Sequence, residues 1–166
     1  MKRIAVFAGS FDPFTLGHQD IVRRASVLFD ELWVLLAVNA SKKYLLPETE
    51  RVDIARSATE DIPNVRVAAY DGLTVDFMKR NGAKFLVRGI RGTADVEYEQ
   101  TVAWNNNVLY PECETVFLSA APEHQMVSSS VVRELLKAGI ADDEEGRNKL
   151  GLYVPANVVP QLLKEK

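Results

Sequence analysis

One cysteine in 166 residues rules out an internal disulfide, and Cys113 has no second thiol with which to share a zinc ion. A small residue, buried or half-buried, is expected there, and redox chemistry is not. No apolar run is long enough for a signal peptide or a membrane span, so the expected localisation is cytoplasmic. Positive charge is not in excess: 20 Lys and Arg stand against 23 Asp and Glu, a net charge of -3 that argues against general nucleic-acid binding by counterion release. Any anion must be met by local basic residues. Neither a low-complexity tract nor a solenoid-type repeat is present. G-x-G-x-x-G and G-x-x-x-x-G-K-[ST] are both missing, which excludes the dinucleotide fingerprint and the P-loop. Ser–His–Asp, Cys–His and paired-carboxylate constellations are missing too, so no protein nucleophile is offered.

What is there is an ordinary globular balance, 47% hydrophobic and 26% charged, in a length that suits one domain over residues 1–166. Apolar runs rich in Val, Ile, Leu and Phe, bounded by turn-forming residues, predict strands at Arg3–Phe7, Glu31–Val38, Val65–Tyr70, Lys84–Val87 and Thr115–Leu118. Helical spacing predicts helices at His18–Phe29, Glu48–Thr59, Leu73–Arg80, Ala94–Leu109 and Ser130–Lys137, with a C-terminal helical segment from about residue 131. Such alternation implies an α/β fold: a doubly wound, Rossmann-like domain with a five-stranded parallel sheet and helices on both faces. Ligands of these sheets bind beyond the carboxyl ends of the strands, where strand order reverses. The loops after strands one, two, four and five are therefore the ones that matter.

The first of these, in "RIAVFAGSFDPFTLGHQDIVRRA", runs Gly9, Ser10, Pro13 and Gly17 into a helix whose N-terminus favours a phosphate. His18, in the first turn, is placed to donate to a phosphate oxygen with the Thr15 hydroxyl nearby; capping by His18 and turn formation by Thr15 account for them equally well. "NASKKYLLPETER" puts Lys42 and Lys43 beside the same sheet edge, although lysines in a loop usually mark a solvated surface. "VRGIRGTADVEYE" sends the guanidiniums of Arg88 and Arg91 from one strand end. In "HQMVSSSVVRELL", Ser128, Ser129 and Ser130 open another helix with Arg133 in its first turns; one serine is expected as the cap, and the run as a whole reads as a second anion site. Together these loops suit a polyphosphate and a second phosphorylated molecule, and direct nucleotidyl transfer by positioning and charge stabilisation.

These residues carry a resemblance. "GSFDPFTLGH" resembles the nucleotidyltransferase signature with T-x-G-H at its core, "KFLVRGIRGTADVEYE" is similar to a segment of phosphopantetheine adenylyltransferases, and "SSSVVRE" resembles that family's second phosphate motif. The resemblance covers roughly Met1 to Ala138. It implies transfer of AMP from ATP to 4'-phosphopantetheine, with His18 stabilising the pentavalent α-phosphate. It further implies that Ser10 and Phe11 touch ATP, Ser10 also reaching the acceptor. Lys42, Thr74 and Arg88 match acceptor-binding positions. Gly89, Ile90, Arg91, Glu99 and the run His124, Gln125, Met126, Val127, Ser128, Ser129 and Ser130 match ATP-binding positions. Mg2+ is expected on the ATP phosphates, with no protein carboxylate cage. The resemblance also implies a homohexamer and feedback inhibition by coenzyme A.

On bare sequence Thr74 reads as a helix start and Glu99 as a solvated helix face. His124 and Met126 stand where the family usually has aromatic residues. "GIADDEEGRNKLGLYVP" is longer and more acidic than the family's usual connection, and Asp142–Glu145 reads as a solvated loop. A cytidylyl- or mononucleotide adenylyltransferase and a non-catalytic nucleotide-sensing module are the competing readings.

Overall fold

The computed structural model describes residues 2–38 and 41–163. Five parallel strands, β1 (Ile4–Gly9), β2 (Glu31–Val38), β3 (Val65–Asp71), β4 (Phe85–Ile90) and β5 (Glu114–Ser119), form one sheet in the order β3-β2-β1-β4-β5. The apolar runs are continuous rather than alternating because both faces of the sheet are covered. Ala5, Phe7, Leu32, Val34 and Leu36 face one core with helices α1 (Leu16–Leu28), α2 (Glu48–Thr59) and α5 (Ser129–Lys137). Val6, Ala8, Leu35 and Leu86 face the other, with Phe77 and Met78 of α3 (Thr74–Arg80) and with Cys113, which is buried as expected.

The chain winds outward through β1, β2 and β3, then returns to lay β4 against the free side of β1. Strand order thus reverses between β1 and β4, and the loops that follow these two strands diverge there, opening a crevice at the sheet's carboxyl edge. Helix α4 (Thr93–Leu109) follows β4 and, of its residues, buries Glu99 alone; Tyr98, Trp104, Val108 and Leu109 lie at solvent.

Past α5 the fold departs from the sequence reading. Asp142–Glu145 is solvated but is not a loop. Asp142 ends a short 3-10 turn (Ile140–Asp142), and Asp143 caps α6 (Glu144–Leu150) by accepting from the backbone N–H of Gly146 at 2.7 Å. Acidic residues in a helix's first turn complement its dipole, which is why a run that reads as loop is here a helix start. Gly146 is required by close approach: a Cβ there would lie 1.7 Å from the carbonyl oxygen of Ile140. Leu150, Val154, Val158 and Leu162, the last in α7 (Val159–Leu162), then close the core over α1 and α2.

Candidate active site

The crevice between β1 and β4 is a cleft of 370 Å³ lined from all four loops singled out above: Ser10, Phe11, Thr15 and His18 after β1, Lys42 after β2, Arg88, Gly89 and Arg91 at the end of β4, and His124, Val127, Ser128, Ser129, Ser130 and Arg133 after β5. Four cationic side chains, Lys42, Arg88, Arg91 and Arg133, meet two carboxylates, Asp95 and Glu99. Lys43 is exposed and takes no part in the lining, as expected for a solvated lysine.

His18 caps its helix and faces the cleft at once, so the two readings of its role do not exclude each other. The backbone N–H of Thr15 donates to Nδ1 at 3.0 Å, and the backbone N–H of His18 donates to the Thr15 hydroxyl at 3.4 Å, a reciprocal capping box. A nitrogen that accepts carries no proton, so the neutral ring holds its hydrogen on Nε2. Burial, with the nearby charges of Arg91 and then Arg88, lowers the His18 pKa from the ordinary 6.5 to about 4. At neutral pH the ring is an uncharged N–H donor.

The N-terminus of α1 offers less than its sequence promised. The N–H of Leu16 donates to the Tyr153 carbonyl at 2.8 Å and that of His18 is held by Thr15, which leaves the Gly17 amide as the first-turn donor still available to a ligand. The missing capacity comes from arginines. Arg88 grips Glu99 through two bonds, Nε to Oε2 at 2.6 Å and Nη2 to Oε1 at 2.7 Å, and its Nη1 donates to the Ala8 carbonyl at 2.8 Å. Two of its five N–H groups remain for a ligand. Glu99 is therefore not on a solvated face: it is 7% exposed, and both its oxygens are occupied by Arg88. Arg91 is tied back to Asp95, with Nε 3.3 Å and backbone N 3.0 Å from the same carboxylate oxygen.

The serine run divides its labour. Ser128 is the helix cap, its hydroxyl accepting from the Val131 N–H at 3.2 Å; Ser129 donates to the Pro13 carbonyl at 2.9 Å, and Ser130 accepts from Arg133 at 3.0 Å. With the hydroxyls so engaged, the backbone N–H groups of Ser129 and Ser130, at the first two positions of α5, are the groups of this run left to meet an anion. Ser10 is already close to a cation, its Oγ accepting from Lys42 Nζ at 2.9 Å.

Four assigned positions lie outside the lining. Thr74 is the first residue of α3, beyond β2 on the same sheet edge. Ile90 ends β4 with its carbonyl bound by the Ala120 N–H. Gln125 is exposed, and Met126 is 86% exposed; neither lines the cleft. Gly9 and Gly17 of the first motif line it as well, and the cleft adds Phe7, Ala8, Ile21, Asp95 and Ala120, none of them singled out as a contact by the sequence. Asp95 sits one helical turn before Glu99, a spacing that could have exposed it.

Comparison with known proteins settles the family. Residues 6–135 match the model of the cytidylyltransferase-like family. The chain is 45% identical over 162 residues, 98% of its length and 89% of the relative's, to the phosphopantetheine adenylyltransferase of Limosilactobacillus reuteri. It is 47% identical over 164 residues, 99% of its length and 95% of the relative's, to that of Lachnoclostridium phytofermentans. The chain belongs to the phosphopantetheine adenylyltransferase family. The resemblance seen in the motifs is thereby established, and with it membership of the nucleotidyltransferases. The fold extends further than the family. Solved structures of the Plasmodium falciparum nicotinic acid mononucleotide adenylyltransferase, complexed with APC and with NaAD, superpose with TM-scores of 0.68 and 0.69 at 16% and 15% identity, each over 99% of this chain and 96% of that one.

Proposed function

We propose that the chain transfers AMP from ATP to 4'-phosphopantetheine, forming dephospho-coenzyme A and pyrophosphate. The observation that carries this reading is the neutral Nε2–H of His18, held by Thr15 over a cleft with four cations at the reversal of strand order, in a member of this family.

In the reaction an acceptor phosphate oxygen attacks the α-phosphorus, and the bond to the bridging oxygen of the β-phosphate breaks as pyrophosphate leaves. A phosphate monoester is already largely dianionic at neutral pH, so the nucleophile needs no general base. His18 donates from Nε2 to the oxygen charge that grows on the α-phosphorus, which a neutral donor does without moving its proton. Lys42 and the two unengaged N–H groups of Arg88 meet the acceptor phosphate, while Arg91, Arg133 and the amides of Ser129 and Ser130 meet the β- and γ-phosphates. Mg2+ enters with ATP as part of the substrate. Arginines crowd the cleft, and both carboxylates are already paired with them, so the lining suits the metal's phosphates rather than the metal itself.

Assembly into a hexamer is part of the proposal, supported by the large apolar side chains that α4 leaves at solvent, Trp104 at 67% exposed among them. Inhibition by coenzyme A, which shares the acceptor's phosphopantetheine arm, belongs to it as well.

The test is pyrophosphate release with ATP, Mg2+ and 4'-phosphopantetheine, set against nicotinate mononucleotide as acceptor and CTP as donor. Release with the first combination alone is expected. Preference for another pair would transfer the chain to a different nucleotidyltransferase reaction, and ATP binding with no release from any pair would make it a sensing module.

A further inference from the structure

Three arginines from three separate elements hold alternate carbonyls at the end of β1 and in the loop that follows it. Arg88 of β4 donates to Ala8 O at 2.8 Å, Arg51 of α2 to Ser10 O at 2.7 Å, and Arg133 of α5 to Asp12 O at 2.7 Å. Arg88 and Arg133 also line the cleft, whereas Arg51 does not. Arg51 is 1% exposed, and its guanidinium carbon stands 3.8 Å from the centroid of the Tyr44 ring. Among the described residues its buried Nε has no hydrogen-bond partner and no ion pair includes it. A buried cation so incompletely satisfied is a cost to the fold, and an apolar side chain of its size would stabilise the site at least as well. Its effect is to be sought in what it holds.

It holds the peptide between Ser10 and Phe11. The orientation of that plane sets the φ of Phe11, which at +46° is left-handed, a conformation a bulky residue keeps only under constraint. The constrained residue stands against the reacting group: the Phe11 ring meets the His18 ring edge-on, with centroids 4.9 Å apart, and packs on Phe7 and Phe14 at 5.3 Å each. Ser10, whose carbonyl Arg51 holds, also carries the hydroxyl that pairs with Lys42. Turning the plane would displace both.

We propose that Arg51 is a positioning residue for the transfer, fixing Phe11 in its left-handed conformation through the Ser10 carbonyl and so setting the His18 ring and the Ser10–Lys42 pair. The proposal rests on the adenylyl-transfer reading for its kinetic consequence, and on geometry alone for its effect on His18. Arg51→Met keeps the bulk and removes the donor; Arg51→Lys keeps the charge and one donor. With Phe11 released, water reaches the His18 ring, and the burial that holds its pKa near 4 is relieved while Arg88 and Arg91 still face it.

Two measurements on the full-length chain decide it: steady-state kinetics beside thermal melting, and NMR titration of the His18 ring in the unliganded protein, with His124 as reference. In Arg51→Met, kcat should fall by about tenfold or more while the melting temperature changes little, as a small misplacement of reacting groups does. Arg51→Lys should recover part of the loss, and His18 should titrate above its wild-type value in the Met variant. If Arg51→Met does not fold, the Lys variant decides by the same two readings. An unmoved His18 titration overturns the proposal even where kcat falls, since a purely structural arginine would lower activity without freeing the ring. Unchanged kcat in a folded variant overturns it too. A wild-type chain that releases no pyrophosphate refutes the adenylyl-transfer reading alone, and the titration still decides the role of Arg51.

Discussion

The imidazole Nδ1 of His18 accepts a hydrogen bond from the backbone nitrogen of Thr15 at 3.0 Å, and this one contact selects which ring nitrogen can address a ligand. His18→Ala removes the donor and leaves the cations in place. Turnover should fall by about 10² or more, while ATP affinity measured by calorimetry changes far less. Near-normal turnover would leave His18 with its capping role alone.

His18 also ties stability to pH. Its pKa is about 4 in the folded chain and close to 6.5 when unfolded, so between those values the unfolded chain binds the extra proton. Stability should therefore rise with pH from about 4 to 6.5 and gain nothing further from this group above that. A shift of this size corresponds to about 3 kcal/mol. Denaturant unfolding across the window should show a shallower slope in His18→Gln; an identical slope would mean that the ring is not buried in solution.

On the proposed assignment, Arg88, held by Glu99, serves the acceptor rather than the nucleotide. Arg88→Gln and Lys42→Gln should weaken 4'-phosphopantetheine binding more than ATP binding. Glu99→Ala should bias affinity the same way by freeing Arg88 from its bidentate hold, and should cost about 2–4 kcal/mol because it leaves a mostly buried guanidinium unpaired. Equal losses for both ligands in calorimetry would contradict this division.

At α5 the comparison of ATP with AMP distinguishes a cap from a phosphate site. Ser128→Ala should cost about 1 kcal/mol of stability and leave the ATP-to-AMP affinity ratio alone, since its hydroxyl serves the Val131 amide. Arg133→Gln should lower ATP affinity while hardly affecting AMP, which lacks the distal phosphates. A ratio unchanged by Arg133→Gln would move the pyrophosphate away from this helix.

The strands and the four loops were legible because continuous apolar runs between turn residues have few other readings in a chain with neither disulfides nor repeats. Glu48–Thr59 came out with the bounds its spacing predicts. What escaped depends on partners distant in sequence. Glu99 looks like any charge on a helix until Arg88 is brought beside it, and Arg51 sits between Glu50 and Val52 in a pattern that suits a surface arginine. Asp143 was hidden for a different reason, since a cap within an acidic run has the composition of a loop. Thr74 shows the converse: its local reading as a helix start holds, while its place in the cleft came from resemblance and is not among the lining residues.

The bond from Leu16 N–H to the Tyr153 carbonyl joins a helix made early in translation to a residue made late. All five strands are complete at Ser119, so the whole sheet is encoded before the residue that receives this first amide. The start of the helix that bears His18 thus draws its partner from outside the sheet, at the far end of the chain. A chain cut short after Ser119 would keep every strand and lose the carbonyl that closes this helix start.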